Sequence, residues 1–124
     1  MRLLLDTHAA IWWLSDDPRL GPVAAAHLDD ESNHVLLSAA IVWEVAIKRA
    51  LGKLDSPEGF ASRLLGAGAA ALPISIEHAA GVERLPHHHR DPFDRLLISQ
   101  ATIEKATIVS SDDRLRAYDV PVLW

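Results

Sequence analysis

Four acidic residues, Asp6, Glu44, Asp94 and Asp112, come from widely separated parts of the chain, and each stands where an apolar strand ends or a helix begins. Asp6 directly follows Leu3, Leu4 and Leu5, and Ser110, Ser111 and Asp112 follow the apolar run "TIV". Glu44 lies in the second turn of a helix that opens after Ser38, and Asp94 in the first turn of a helix that opens at Pro92. Open α/β sheets bind ligands at the carboxyl ends of their strands, so acids from four segments can meet at one rim. Glu44 shares a helical stripe with Ile41, Ile47 and Leu51, and Asp94 shares one with Leu97, Ile98 and Ala101. Such stripes face a core, where a carboxylate is costly to bury without a partner. Lys and Arg are few in the rim segments, whereas one divalent cation serves several acids at once. Mg²⁺ and Mn²⁺ prefer oxygen ligands. Such an ion makes hydroxide from water and holds the leaving oxygen of a phosphodiester.

Each acid also has a plainer use. Asp91 reads as the N-cap of the helix at Pro92, with Asp94 at its third position, close to a capping box. Glu44 can pair with Lys48 one turn on, and Asp112 and Asp113 suit the first turn of a short helix. Asp6 is harder to give a purely structural job, since Arg2 is its only neighbouring cation in the sequence. His87, His88 and His89 lack the spacing of a helical zinc pair and read as a solvated loop lending positive charge to an RNA backbone. Trp12 and Trp13 are adjacent on one helix; either one fills the core and the other reaches a surface suited to a protein interface, or both pack in the core. Trp43 is expected in the core.

The elements that position these residues follow from the apolar pattern. "RLLLD" is a strand, and Thr7 can cap the helix "HAAIWWLSD". A second helix begins at Pro22. "HVLLS" is a strand, and Ser38 caps a long helix that ends near Gly52. A short helix near residues 60–65, a strand at 71–74 and a helix at 77–85 precede the loop "PHHHRDP". A helix over 92–105, the strand "TIVSS", a short helix "DDRLRAY" and a last strand "VPVLW" complete the order. The strands are short, unbroken apolar runs, the mark of a parallel sheet covered on both faces. The expectation is a three-layer α/β/α domain with a short-stranded, mainly parallel central sheet.

Residues 1–124 suit a single domain. An apolar fraction of 49% is enough to bury a core, and the absence of cysteine excludes disulfides and thiolate metal sites. No apolar run reaches the ~20 residues that span a bilayer. The N-terminus loosely resembles a signal peptide, but Asp6 and His8 interrupt its apolar stretch, so it reads as the first strand and helix. A net charge of −5 makes the chain a poor general binder of polyanions. A nucleic-acid substrate therefore needs local basic groups or bound cations at the site.

Taken together, "LLLDTH", "SAAIVWEVAIK", "HHHRDPFDRLLISQA" and "IVSSDDRLRAY" resemble the PIN-domain family, and within it the VapC-type toxins of bacterial type II toxin–antitoxin pairs. The resemblance covers essentially the whole chain. It implies a Mg²⁺- or Mn²⁺-dependent ribonuclease whose acidic quartet falls on Asp6, Glu44, Asp94 and Asp112, as both metal ligands and catalytic groups. Ser110 matches the small hydroxyl residue two places before the fourth acid, while Asp91 and Asp113 are supporting neighbours. It also implies an RNA substrate, a cognate VapB-type antitoxin, a homodimer and a cytoplasmic location, with translation and growth arrested when the toxin is free. The alternatives are a metal-dependent RNA- or protein-binding module that does not cut, and a Mg²⁺ phosphohydrolase. The second wants Asp-x-Asp after the first strand, where this chain has His8.

Overall fold

A computed structural model describes residues 1–124. Five strands, β1 (Arg2–Leu5), β2 (His34–Ser38), β3 (Ala70–Leu72), β4 (Thr107–Val109) and β5 (Val122–Leu123), form one sheet in the order β3-β2-β1-β4-β5. Every pairing is parallel. Leu3, Leu4 and Leu5 of the central strand are wholly buried, which is why that strand is apolar at every position and does not alternate. The last two strands are shorter than the sequence suggests, because pairing rather than apolarity sets their ends.

Six helices surround the sheet: α1 (Thr7–Leu14), α2 (Pro22–Asp29), α3 (Ala39–Ala50), α4 (Phe60–Gly66), α5 (Ile76–Gly81) and α6 (Pro92–Glu104). Two short 3₁₀ helices cover Val82–Arg84 and Asp113–Ala117. From β1 the chain moves outward through β2 to β3, then returns to place β4 on the other side of β1. Right-handed crossovers of opposite sense cover opposite faces of a sheet: α1 to α4 lie in the outward connections, α5 and α6 in the return. The reversal leaves a crevice at the carboxyl ends of β1 and β4, where the order switches direction. No helix is long and apolar enough to cross a membrane.

Three expectations about packing are corrected. In α3 the buried positions are Ala40, Ile41, Glu44 and Val45, while Ile47 is 37% and Leu51 61% exposed. Glu44 is thus buried, but at the end of its stripe, since α3 leaves the sheet after its second turn. Trp43, expected in the core, is 58% exposed. It lies on the outer side of α3 and makes an edge contact with Phe93 at 5.3 Å. Trp12 and Trp13 are both half-buried. Trp12 packs edge-on against Trp124 and carries the Arg19 guanidinium over its ring, and the Trp13 indole N–H donates to Asp29.

Candidate active site

Asp6, and not Thr7, caps α1. Its backbone sits in the extended region and its Oδ1 accepts the Ala9 N–H at 2.7 Å. Thr7 becomes the first helical residue, and its freed hydroxyl donates to Oε1 of Glu44. The register Leu5↔Val109 sets Asp6 beside Ser110 across the β1–β4 pair. Ser110 is wholly buried, and its Oγ accepts the backbone N–H of Asp112 at 3.0 Å. Asp112 caps the following 3₁₀ helix. On the opposite wall, Asp91 caps α6 by accepting from the Phe93 and Asp94 amides at 2.8 and 3.3 Å. Because Asp91 takes that task, the Asp94 carboxylate is left free of the helix end.

Lys and Arg are better placed at this rim than their scarcity in the sequence suggests. Lys48 Nζ lies 3.2 Å from Glu44 Oε2. Arg114 holds Asp112 with two prongs, Nε at 3.0 Å from Oδ1 and a terminal nitrogen at 2.9 Å from Oδ2. Asp6 and Asp94 have no such lysine or arginine partner. Burial pushes the Asp6 carboxyl up to about 6, against the opposing Ser110 and Ala9 hydrogen bonds, and the charges of Asp112 and Glu44 add to the rise. Burial also pushes Asp94 up to about 6, helped by the charges of Asp91, Glu44 and Asp6 and opposed by His89. Asp112 is instead held below the usual carboxylate range, chiefly by its Arg114 hydrogen bond. Asp6 feels the charges of Asp112 and Glu44, and Asp94 those of Glu44 and Asp6, but Asp6 and Glu44 join no set of three ligand atoms within 4.8 Å of one another. Two of the four acids carry cations, and two are penalised for ionising. An oxygen-rich donor set with two under-compensated carboxylates fits a hard divalent cation. Asp113, expected as a neighbour, lies outside: its side chain is 95% exposed and lies near Arg116.

The PIN domain family matches this chain over residues 3–121. The chain belongs to that family. Its relatives include Ribonuclease VapC22 of Mycobacterium tuberculosis, 30% identical over 96% of this chain and 93% of that protein. Ribonuclease VapC16 of the same organism is 41% identical over 54% of this chain, a match that spans only about half (52%) of that protein. The fold is shared with VapBC2 from Rickettsia felis, solved with a promoter DNA fragment (TM-score 0.74, 17% identity, 100% of this chain and 99% of that one). It is also shared with FitAcB from Neisseria gonorrhoeae (TM-score 0.68, 23% identity, 98% and 96% covered).

This PIN domain adds two residues to its site that sequence reasoning did not place there. His89 was expected in solvent, yet its side chain is only 7% exposed, with Nε2 at 2.9 Å from Asp94 Oδ2 and 3.8 Å from Asp112 Oδ2. Ligand atoms of His89, Asp94 and Asp112 all fall within 4.8 Å of one another. His87 and His88 remain exposed. Arg95 is buried without a carboxylate partner. It donates to the carbonyls of Pro86, Val82 and Leu85 at 2.8, 3.3 and 3.3 Å and to the Tyr118 hydroxyl at 3.2 Å. The only hint in the sequence is the basic residue directly after Asp94, which does not reveal the carbonyls it serves.

The raised acids make a prediction for this PIN domain without metal. A carboxyl with a folded value near 6 and an ordinary value of 3.8 binds its proton more tightly when folded. Its stabilising contribution is therefore present below about pH 4 and lost as pH rises to about 6. For Asp6 the cost at pH 7.5 is about 3 kcal/mol. Asp6→Asn keeps a good cap and removes the charge. In EDTA, thermal unfolding of the variant minus that of the parent should grow between pH 4 and 6.5 and then level off. A difference that does not change with pH would refute the burial argument. Adding Mn²⁺ at pH 7.5 should raise the parent's melting temperature by mass action and leave Asp6→Asn nearly unmoved.

Proposed function

We propose that residues 1–124 act as a single PIN domain, the toxin ribonuclease of a type II toxin–antitoxin pair. The proposed reaction is the Mg²⁺- or Mn²⁺-dependent hydrolysis of RNA phosphodiester bonds. The observation that carries this reading is the pair Asp6 and Asp94: acids just after β1 and in the first turn of α6, each half-buried and neither paired with a lysine or arginine. These two residues would hold the ion, with Glu44 and Asp112 completing its surroundings directly or through water. When bound, the ion supplies Lewis-acid polarisation of the phosphate and an acidified water. The chain does the rest. Ala9 and Ser110 fix Asp6, Thr7 and Lys48 orient Glu44, and a carboxylate of the cluster takes the proton of the attacking water. Lys48 and Arg114 bring positive charge to the mouth of an otherwise acidic site, which eases the approach of a polyanion despite a net charge of −5.

The partners proposed for this chain are RNA, a cognate antitoxin protein and a second copy of itself, and the cytoplasm is the proposed location. Support for the antitoxin comes from the neighbours of the fold, several of which are toxin–antitoxin complexes. The test is end-labelled RNA incubated with the purified chain in Mg²⁺, in Mn²⁺ and in EDTA. Shortened RNA with either metal and intact RNA in EDTA is the expected result. Retarded but uncut RNA would favour a binding module, and phosphate release from a small phosphomonoester with intact RNA would favour a phosphohydrolase.

A further inference from the structure

We propose that His89 is a positioning residue of the acidic site, donating its Nε2–H to Asp94 Oδ2 so that the other oxygen of Asp94 faces the cation, and that His89 is not itself a metal ligand. The inference rests on the function proposed above and goes beyond the quartet of acids.

Three observations carry it. The first is where the side chain sits. It lies in a loop of exposed neighbours but is itself 93% buried, and its Nε2 lies near two carboxylates, Oδ2 of Asp94 at 2.9 Å and Oδ2 of Asp112 at 3.8 Å. That nitrogen is buried and completes no hydrogen bond in the structure, and the two carboxylates beside it are the acceptors nearest to its proton. The second is the tautomer. The backbone N–H of Asp91 donates to Nδ1 at 3.2 Å, which commits the Nδ1 lone pair and puts the ring proton on Nε2. A histidine that ligates metal through Nε2 needs the opposite arrangement, with its Nδ1 proton given to an acceptor. The third is delivery. Arg95 grips the carbonyls on both sides of the turn, Pro86 at 2.8 Å and His89 itself at 3.5 Å, and the buried guanidinium thereby keeps the ring over Asp94. A fixed N–H on one carboxylate oxygen sets the rotation of that carboxylate, the usual work of a group behind a metal ligand.

The experiment uses Mn²⁺ as the probe on the full chain, with binding measured by calorimetry and by electron paramagnetic resonance. Removing the donor with His89→Ala should weaken Mn²⁺ binding by about tenfold. His89→Gln, whose carboxamide nitrogen reaches about as far as Nε2, should stay within about threefold of the parent. Pulsed resonance on the Mn²⁺-loaded parent should show no directly bound nitrogen. A ¹⁴N coupling of ligand size that disappears in His89→Gln would overturn the proposal by making His89 a ligand. Parent-like affinity in His89→Ala would overturn it by making the contact idle. If His89→Ala does not fold, the resonance spectrum of the parent and the affinity of His89→Gln still decide. A parent that binds no Mn²⁺ at all sinks the metal-centre reading and this inference together. Metal-dependent cleavage with an unchanged His89→Ala affinity sinks this inference alone.

Discussion

Asp94→Asn is expected to lower RNA cleavage by more than about a hundredfold while raising stability in EDTA at pH 7.5. The two effects share one cause. Asp94 stands in the first turn of α6, but the cap belongs to Asp91, which already accepts the Phe93 and Asp94 amides. Its charge therefore does little for the helix and suffers burial together with the charges of Asp91, Glu44 and Asp6. Asparagine is nearly the same size, removes that repulsion and cannot bind a hard cation as a carboxylate does. The gain in EDTA should be about 1 kcal/mol, discounted because a quarter of the side chain is exposed. It should vanish below about pH 4, where the parent is protonated too. Chemical denaturation at pH 4 and 7.5, beside a labelled-RNA assay, reads both effects. An ordinary first-turn acid predicts the reverse: cleavage kept, and stability down by about 0.5 kcal/mol.

The second large effect belongs to Arg95. Its guanidinium satisfies four backbone carbonyls and the Tyr118 hydroxyl, and no carboxylate competes for it. Arg95→Met keeps much of the volume but leaves those acceptors buried and unpaired. The expected loss is on the order of 3 kcal/mol. Arg95→Lys should recover only part of it, because an ammonium cannot serve a spread of acceptors as a planar fork does. Hydrogen exchange should quicken over residues 82–90 before it does in the sheet, and cleavage should fall with it as His89 loses its seat. Protection of that loop unchanged in Arg95→Met would remove the guanidinium from the account.

How much of this was legible in the sequence depended on how local the deciding physics was. Leu3 to Leu5 and Val35 to Leu37 announce buried parallel strands by being apolar without interruption, and Ser38, Asp91 and Pro92 announce helix starts by type and order alone. The rim positions of Asp6 and Asp112 follow from strand ends, and the register Leu5↔Val109 sets them on neighbouring strands. What stayed hidden was tertiary. Trp43 looks like a core residue by composition, but the direction in which α3 leaves the sheet turns it outward. Thr7 and Asp6 are both good caps, and only the pairing of β1 with β4 decides between them. His89 looks solvated among three histidines. Its turn is held by Arg95, which reaches backbone carbonyls 6 to 13 residues away in the chain as well as the Tyr118 hydroxyl, and the carbonyl acceptors leave no signature in side-chain types.

The central strand has a consequence for the order of events during synthesis. β1 ends at Leu5, yet its partner β4 begins only at Thr107, so about 100 residues are made between the two. At about 5–20 residues per second, one edge of β1 waits roughly 5–20 s with its hydrogen-bonding groups unpaired. Contacts so distant in sequence also form slowly once both strands are present. Asp6 therefore gains the company of Ser110 and Asp112 only after every segment between β1 and β4 has been made. Until β4 docks, the acids carried by β1 and α3 stand without the strand that completes their site.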